Sequence, residues 1–140
     1  PLPTFAPEQF AVLRCQDTIR RKQFERGLSQ LLEDGVVQLF HDPTSITREP
    51  ILGGVGELQF DVVRFRLETE YSTPTTLQWL PYKLARWIVG GLEHLPRVRV
   101  MNTARLVRDA DENPVVLFQS TWDADYMARE YKELTFSAVR

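Results

Sequence analysis

The sequence predicts an α+β protein, and three observations carry that expectation. Residues 17–34 and 56–71 repeat apolar or charged side chains at helical spacing, short runs rich in β-branched and aromatic residues flank them, and glycines or prolines punctuate the joins. Taken in order, the first eighty residues give strand, helix, strand, strand, helix, strand.

Each element has its own reason. Residues 10–15 (Phe10-Ala11-Val12-Leu13-Arg14-Cys15) form a short apolar run after a proline-rich entry that ends at Pro7. Asp17 is placed to cap a helix that runs to Asp34, with Phe24, Leu28, Leu31 and Leu32 on one face and Arg21, Glu25, Arg26 and Glu33 on the other. Gly35 sits where a helix-ending glycine belongs. Residues 36–41 alternate as a strand, Asp42-Pro43-Thr44-Ser45 is a turn, and Pro50 to Leu52 leads a third strand into the glycines.

The segment after Gly56 alternates like a strand, but its charges decide for helix. Glu57, Asp61, Arg64 and Glu68 fall in one line along a helix, where Asp61 with Arg64 and Arg64 with Glu68 are expected to pair. A strand of this length would also be unusual. The helix then has two apolar faces, Leu58, Val62 and Phe65 on one and Phe60, Val63, Leu67 and Tyr71 on the other, so it should be covered by its sheet and by a further element. Residues 75–80 form the fourth strand, ended by Pro81.

This order is the βαββαβ pattern of a ferredoxin-like sandwich, a four-stranded antiparallel sheet with two helices on one face. We assign it to residues 1–82, with a small α/β C-terminal subdomain over 83–140. In that part residues 84–89 and 114–119 are strands, 111–114 is a turn, Ser120 and Asp123 cap a helix to about Tyr131, and 134–139 is a last short strand.

Composition narrows the function. With 43% hydrophobic and 26% charged residues, and no apolar run of membrane-spanning length, the 140-residue chain is expected to be a soluble, core-bearing protein with no membrane partner. A single cysteine, Cys15, and no signal-peptide pattern predict a cytoplasmic location. The start at Pro1-Leu2-Pro3-Thr4, without methionine, predicts a piece of a longer protein. The net charge of −2 gives no overall attraction to nucleic acid, yet charge is unevenly placed. Residues 81–108 carry six bases against Glu93, and residues 109–133 carry seven acids against Arg129 and Lys132. The simplest expectation is that these two stretches are solvated faces paired with each other.

The glycine cluster Gly53-Gly54-Val55-Gly56 invites comparison with a phosphate cradle, and the comparison fails. A nucleoside triphosphate loop needs Lys and Ser or Thr after the last glycine, where this chain has Glu57-Leu58. A dinucleotide loop needs a third glycine where Gln59 stands. Glu57 would also repel an anion, while suiting the helix dipole. Cys15 within a strand reads as a small apolar residue, and His41 and His94 read as surface residues with no triad or zinc arrangement. Asp109 with Asp111, and Asp123 with Asp125, sit in a turn and at a helix start, where acids are structurally favoured. Trp79, Trp87 and Trp122 read as core or interface anchors rather than a stacking platform for bases. No catalytic residue, metal ligand or cofactor-binding residue is expected in this chain.

The stretch Gly53-Gly54-Val55-Gly56-Glu57-Leu58-Gln59-Phe60-Asp61-Val62-Val63 resembles the third-domain signature of the translational GTPases. The form with Leu58-Gln59-Phe60-Asp61, followed by Arg66-Leu67 and Glu70-Tyr71, is closer to the bacterial peptide chain release factor three type. Phe5-Ala6-Pro7-Glu8, Lys22-Gln23, Gly27-Leu28, Gln30-Leu31, Gly35-Val36-Val37-Gln38 and Ala85-Arg86-Trp87 agree with it, and Ala128-Arg129-Glu130 agrees in the tail. The resemblance implies a ribosome-contacting C-terminal region of a GTPase that removes class I release factors from the ribosome after termination. It further implies that GTP and magnesium belong to an N-terminal GTPase domain these residues do not include, and that this GTPase domain, the ribosome and, indirectly, class I release factors are the partners. Candidate ribosomal RNA contacts are Arg20, Arg21 and Lys22 at the first helix start, and Arg97 and Arg99 in the basic stretch, since clustered exposed bases suit phosphates. Two other readings stay open: a domain of an elongation-type or recycling-type translational GTPase, and a stand-alone ferredoxin-like enzyme or small-ligand module.

Overall fold

The computed structural model describes residues 6–140; Phe5 and the Pro1-Leu2-Pro3-Thr4 start lie outside the described residues. The elements are β1 (Gln9–Cys15), α1 (Arg21–Glu33), β2 (Gln38–His41), β3 (Ile51–Gly54), α2 (Glu57–Tyr71), β4 (Thr75–Trp79), β5 (Leu84–Gly90), β6 (Arg105–Asp109), β7 (Pro114–Phe118), α3 (Thr121–Glu130) and β8 (Thr135–Ser137). Short 3-10 turns precede α1, at Thr18–Arg20, and follow β5, at Leu92–Arg97.

The βαββαβ order of the first half is present, and its strands lie in the order β4-β1-β3-β2 with antiparallel neighbours. The sheet does not stop at four strands. β6, which begins inside the basic stretch and has no strand signal in its residue spacing, pairs with β2 through Phe40 to Asp109 and His41 to Arg108. β7, β5 and β8 follow, giving one eight-stranded sheet.

Both faces of the central strands are apolar, and this sets the layers. On β1, Ala11 and Leu13 face a core shared with Phe24, Leu28 and Leu31 of α1 and Phe60, Val63 and Leu67 of α2. Phe10 and Val12 point the other way, with Phe40 and Ile51, into a second core with Trp87, Val107, Val115 and Leu117 from β5, β6 and β7. The far faces of those strands, through Ile88, Val116 and Phe118, meet Ala124 and Met127 of α3 in a third core. The sheet therefore folds back upon itself, and α1 with α2 cover one outside and α3 the other. Strands buried on both sides read as unbroken apolar runs, as in Phe10 to Leu13 and Val115 to Phe118.

Three expectations are corrected here. The second face of α2 is not covered among the described residues: Leu58 is 74% and Phe65 67% exposed. The C-terminal half packs instead on the other side of the sheet, against the apolar surface of Phe10, Val12, Phe40 and Ile51. Arg64 does not pair with Asp61 or Glu68; its guanidinium donates to the Thr75 carbonyl (2.8 Å) on the outermost strand, and the ion pair on α2 is Arg66 with Glu70. Finally, among the described residues no ion pair joins the basic stretch 81–108 to the acidic stretch 109–133; Arg105 turns to Asp42, and Glu112 to His41.

Candidate functional site

Gly53 and Gly54 are strand residues, and only Val55-Gly56 form the turn into α2. Their lack of a side chain serves packing. A Cβ on Gly53 would lie 2.8 Å from the Phe40 ring, and one on Gly54 would lie 2.9 Å from Gln59 Oε1 and 3.0 Å from the Phe60 ring. Gly56, the residue before α2, has open space around it and extended backbone (φ −148°, ψ 165°).

The N–H groups that a phosphate would need are already taken by the chain itself. Gln59 Oε1 accepts from the backbone N–H of Val55 and of Gly56 (3.2 Å), and Gln59 Nε2 donates to the Val36 carbonyl (3.0 Å). Leu58 points outward, Phe60 is fully buried against Trp79 with centroids 4.8 Å apart, and Glu57 and Asp61 line a shallow groove of about 360 Å³ between α2 and β4 with Arg64, Thr76, Leu77 and Trp79. The family motif is thus a structural lock, with two acids at a surface groove.

Gly53, Gly54 and Gln59 also border a larger cleft of about 650 Å³, reaching Trp87, Asp109 and Arg140. The turn role of Asp109 and Asp111 was readable from the sequence, but the bond from Trp87 beside it was not, because Trp87 and Asp109 lie on different strands, β5 and β6. Trp87 Nε1 donates to Asp109 Oδ2 (2.9 Å), and Asp109 Oδ1 accepts from the N–H groups of Asp111 (2.9 Å) and Asn113 (2.8 Å). Partial burial works to raise the Asp109 carboxyl's pKa, but the bonds from Trp87, Asn113 and Asp111 outweigh it and hold the pKa below the usual carboxylate value. Asp42 follows the same logic: burial opposes, while Thr44 and Arg105 hold its pKa down. These carboxylates are engaged in shaping turns, and no group of three or more His, Cys, Asp or Glu placed to hold a metal occurs among the described residues.

The candidate basic residues fall in two places. Arg20 ends the 3-10 turn capped by Asp17, lying 3.7 Å from that carboxylate, and Arg21 and Lys22 open α1, with Arg21 3.6 Å from Glu25. Arg97 and Arg99 flank Val98, which packs in the third core beneath α3, and the Arg99 backbone is held by the Tyr131 hydroxyl, which accepts from its N–H (2.7 Å) and donates to its carbonyl (3.1 Å). The first group belongs to the α1 layer and the second to the α3 layer, so they do not form one patch. Ile19 in the 3-10 turn before α1 and Ile46 in the loop between β2 and β3 both stand in solvent.

Cys15 donates to the Asp17 carbonyl (3.1 Å) beside the first core, His41 and His94 lie near Glu112 and Glu93, and Trp122 is the most exposed of the tryptophans. No helix among the described residues is long and apolar enough to cross a membrane.

Comparison with known proteins gives one consistent result. The family model for "Class II release factor RF3, C-terminal domain" matches residues 1–128. "Peptide chain release factor 3" of Trichormus variabilis and of Nostoc punctiforme are each 43% identical over 139 residues, which is 99% of this chain and 26% of theirs. The Synechocystis protein of the same name is 41% identical over 140 residues, 99% of this chain and 25% of its own length. The likeness therefore runs past Arg86-Trp87, where the motifs were densest, into the C-terminal half. The chain spans about a quarter of the length of the curated relatives it matches. By the span and consistency of these matches, the chain belongs to the family of class II release factor RF3 C-terminal domains.

Proposed function

We propose that this chain is the non-catalytic, ribosome-contacting region of a cytoplasmic release-factor GTPase that promotes removal of class I release factors after termination. The likeness to peptide chain release factor 3 over 99% of this chain carries that reading. In it, residues 1–82 correspond to the third domain of translational GTPases and residues 83–140 to a C-terminal lobe packed on it, while GTP and magnesium bind the preceding GTPase domain. The uncovered Leu58 and Phe65 on α2 support a role in relaying nucleotide state, because exposed apolar residues on one helix face suit contact with a neighbouring domain.

The test is made in the full-length factor, by following a labelled class I release factor leaving post-termination ribosomes. Removal of residues 1–140 is expected to abolish the stimulation, and its persistence would sink the reading. Arg97→Ala with Arg99→Ala is expected to weaken ribosome binding and to flatten its salt dependence by roughly 0.7 to 0.9 in log–log slope for each phosphate no longer neutralised. Unchanged affinity across salt concentrations would remove those two residues from the interface.

One observation favours a second reading, a small-ligand module: the 650 Å³ cleft beside Asp109 and Arg140. A thermal-shift screen of this chain separates the two. The release-factor reading expects no stabilisation by GTP or by metabolites.

A further inference from the structure

The acidic stretch and Trp122 have no part in that reading. On α3, Trp122 and Tyr126 are 66% and 40% exposed, and their rings stack with centroids 5.6 Å apart and planes 7° from parallel. Four residues apart, they share the helix side that faces away from the buried Ala124 and Met127. Two rings already ordered in this way lose little freedom when a partner covers them.

The charges around the pair set the sign of that partner. Asp123, Asp125 and Glu130 lie within one helical turn of it, against one base, Arg129. Asp123 accepts a hydrogen bond from Thr103 (3.0 Å), and among the described residues none of the four makes an ion pair. Of the basic stretch, Arg105 pairs with Asp42, the guanidinium groups of Arg86, Arg99 and Arg108 donate to backbone carbonyls, and Lys83 and Arg97 are exposed.

We propose that this face of α3 docks a protein segment bearing arginine or lysine, its cation lying over Trp122 and Tyr126 and its charge met by Asp125 and Glu130. Aromatic ring faces attract cations, and a planar guanidinium stacks upon them. Bases can also stack on exposed rings, but the carboxylates repel the phosphates that an RNA strand would bring. Arg129 opposes a cation too, and three acids outweigh it. The proposal does not depend on the ribosome reading.

Fluorescence anisotropy of the full-length protein with two labelled probes, a glycine-arginine repeat peptide and an adenylate decamer, tests it. The peptide is expected to bind, and Trp122→Ala with Tyr126→Ala to weaken it roughly tenfold. Asp125→Asn with Glu130→Gln should weaken it severalfold and make its salt dependence shallower, while Trp122→Phe with Tyr126→Phe, which keeps both rings, retains most of the affinity. No peptide binding by the wild type, unchanged binding by the double alanine variant, or loss of decamer binding in that variant would each overturn the proposal.

Discussion

The two halves of the folded sheet share a core at Phe10, Phe40 and Trp87, yet they close their outer sides differently. The first uses two helices, α1 and α2, whose apolar faces meet the sheet in one continuous core. The second has one helix, α3, and completes its cover with irregular chain, where Leu95, Val98, Val100, Met101 and Ala104 do the packing. The first half leaves apolar residues over, on the outer side of α2; the second leaves an aromatic pair among acids. Regular cover produces a helix with a spare face, and irregular cover fixes loops that a helix would otherwise have replaced.

The most severe way to disturb this comparison is to hollow out what the halves share. Phe40 is fully buried, with ring centroids 5.9 Å from Phe10 and 6.0 Å from Trp87. Phe40→Ala should cost about 3–5 kcal/mol, and denaturant unfolding followed by helix content and by Trp87 fluorescence, read in a background with Trp79 and Trp122 replaced by Phe, should then lose its coincidence. A single coincident transition in the variant would show that the halves are joined by more than this core.

Gly91 probes the irregular cover alone. Its backbone is left-handed (φ +75°), and an added Cβ would lie 2.0 Å from the Glu133 carbonyl oxygen. Gly91→Ala should cost about 3 kcal/mol, from the conformation and from the forced displacement together, and hydrogen exchange should rise around Leu134 before it rises in α1. Uniform loosening of both halves would break the distinction.

Asp109 comes next. Its folded pKa is depressed, so it contributes stability above the unfolded carboxylate value of about 3.9, and this is lost as pH falls through the lower folded value. Asp109→Asn should therefore be less stable than wild type by about 1–2 kcal/mol at neutral pH, with the gap narrowing in acid. A gap that stays constant on thermal melts down to low pH would remove the charge from the account.

The smallest effect on stability belongs to the spare face. Leu58→Ser with Phe65→Ser should change the stability of this chain by no more than about 0.5 kcal/mol, because both side chains already stand in solvent. A larger loss in urea titration would mean that the second face of α2 is covered after all.

The same contrast governs what the sequence made legible. Residues 57–71 were readable as a helix because their charges recur at helical spacing, and α2 spans Glu57–Tyr71. Ser120 and Asp123 likewise announced α3, and the Ser120 hydroxyl does accept from the Asp123 N–H (3.1 Å). β6 was missed because Arg105 and Arg108 bracket only two apolar residues, Leu106 and Val107, one facing each core. The destination of the Arg64 guanidinium and the indole bond from Trp87 to Asp109 could not be seen at all, since the first depends on how α2 lies against the strand that follows it and the second on the strand order that brings β5 near β6. At the glycine turn the excluded phosphate chemistry was legible from Glu57 and Gln59, but the filling of the turn by the Gln59 amide emerges only from the folded chain, where Val36 comes alongside.

The narrow join between β2 and β6, two residue pairs wide, bears on the order in which the molecule is assembled. A chain emerging from synthesis completes β4, β1, β3 and β2 once Trp79 is out, long before β6 can arrive. Until then Phe10, Val12, Phe40 and Ile51 form an uncovered greasy wall on a sheet that is otherwise finished. A chain cut after Leu80 should therefore form its helices and yet self-associate, and sedimentation of that truncation as a monomer would show that the wall closes by other means. In the finished fold the C-terminal half is what covers that wall, through Trp87, Val107, Val115 and Leu117.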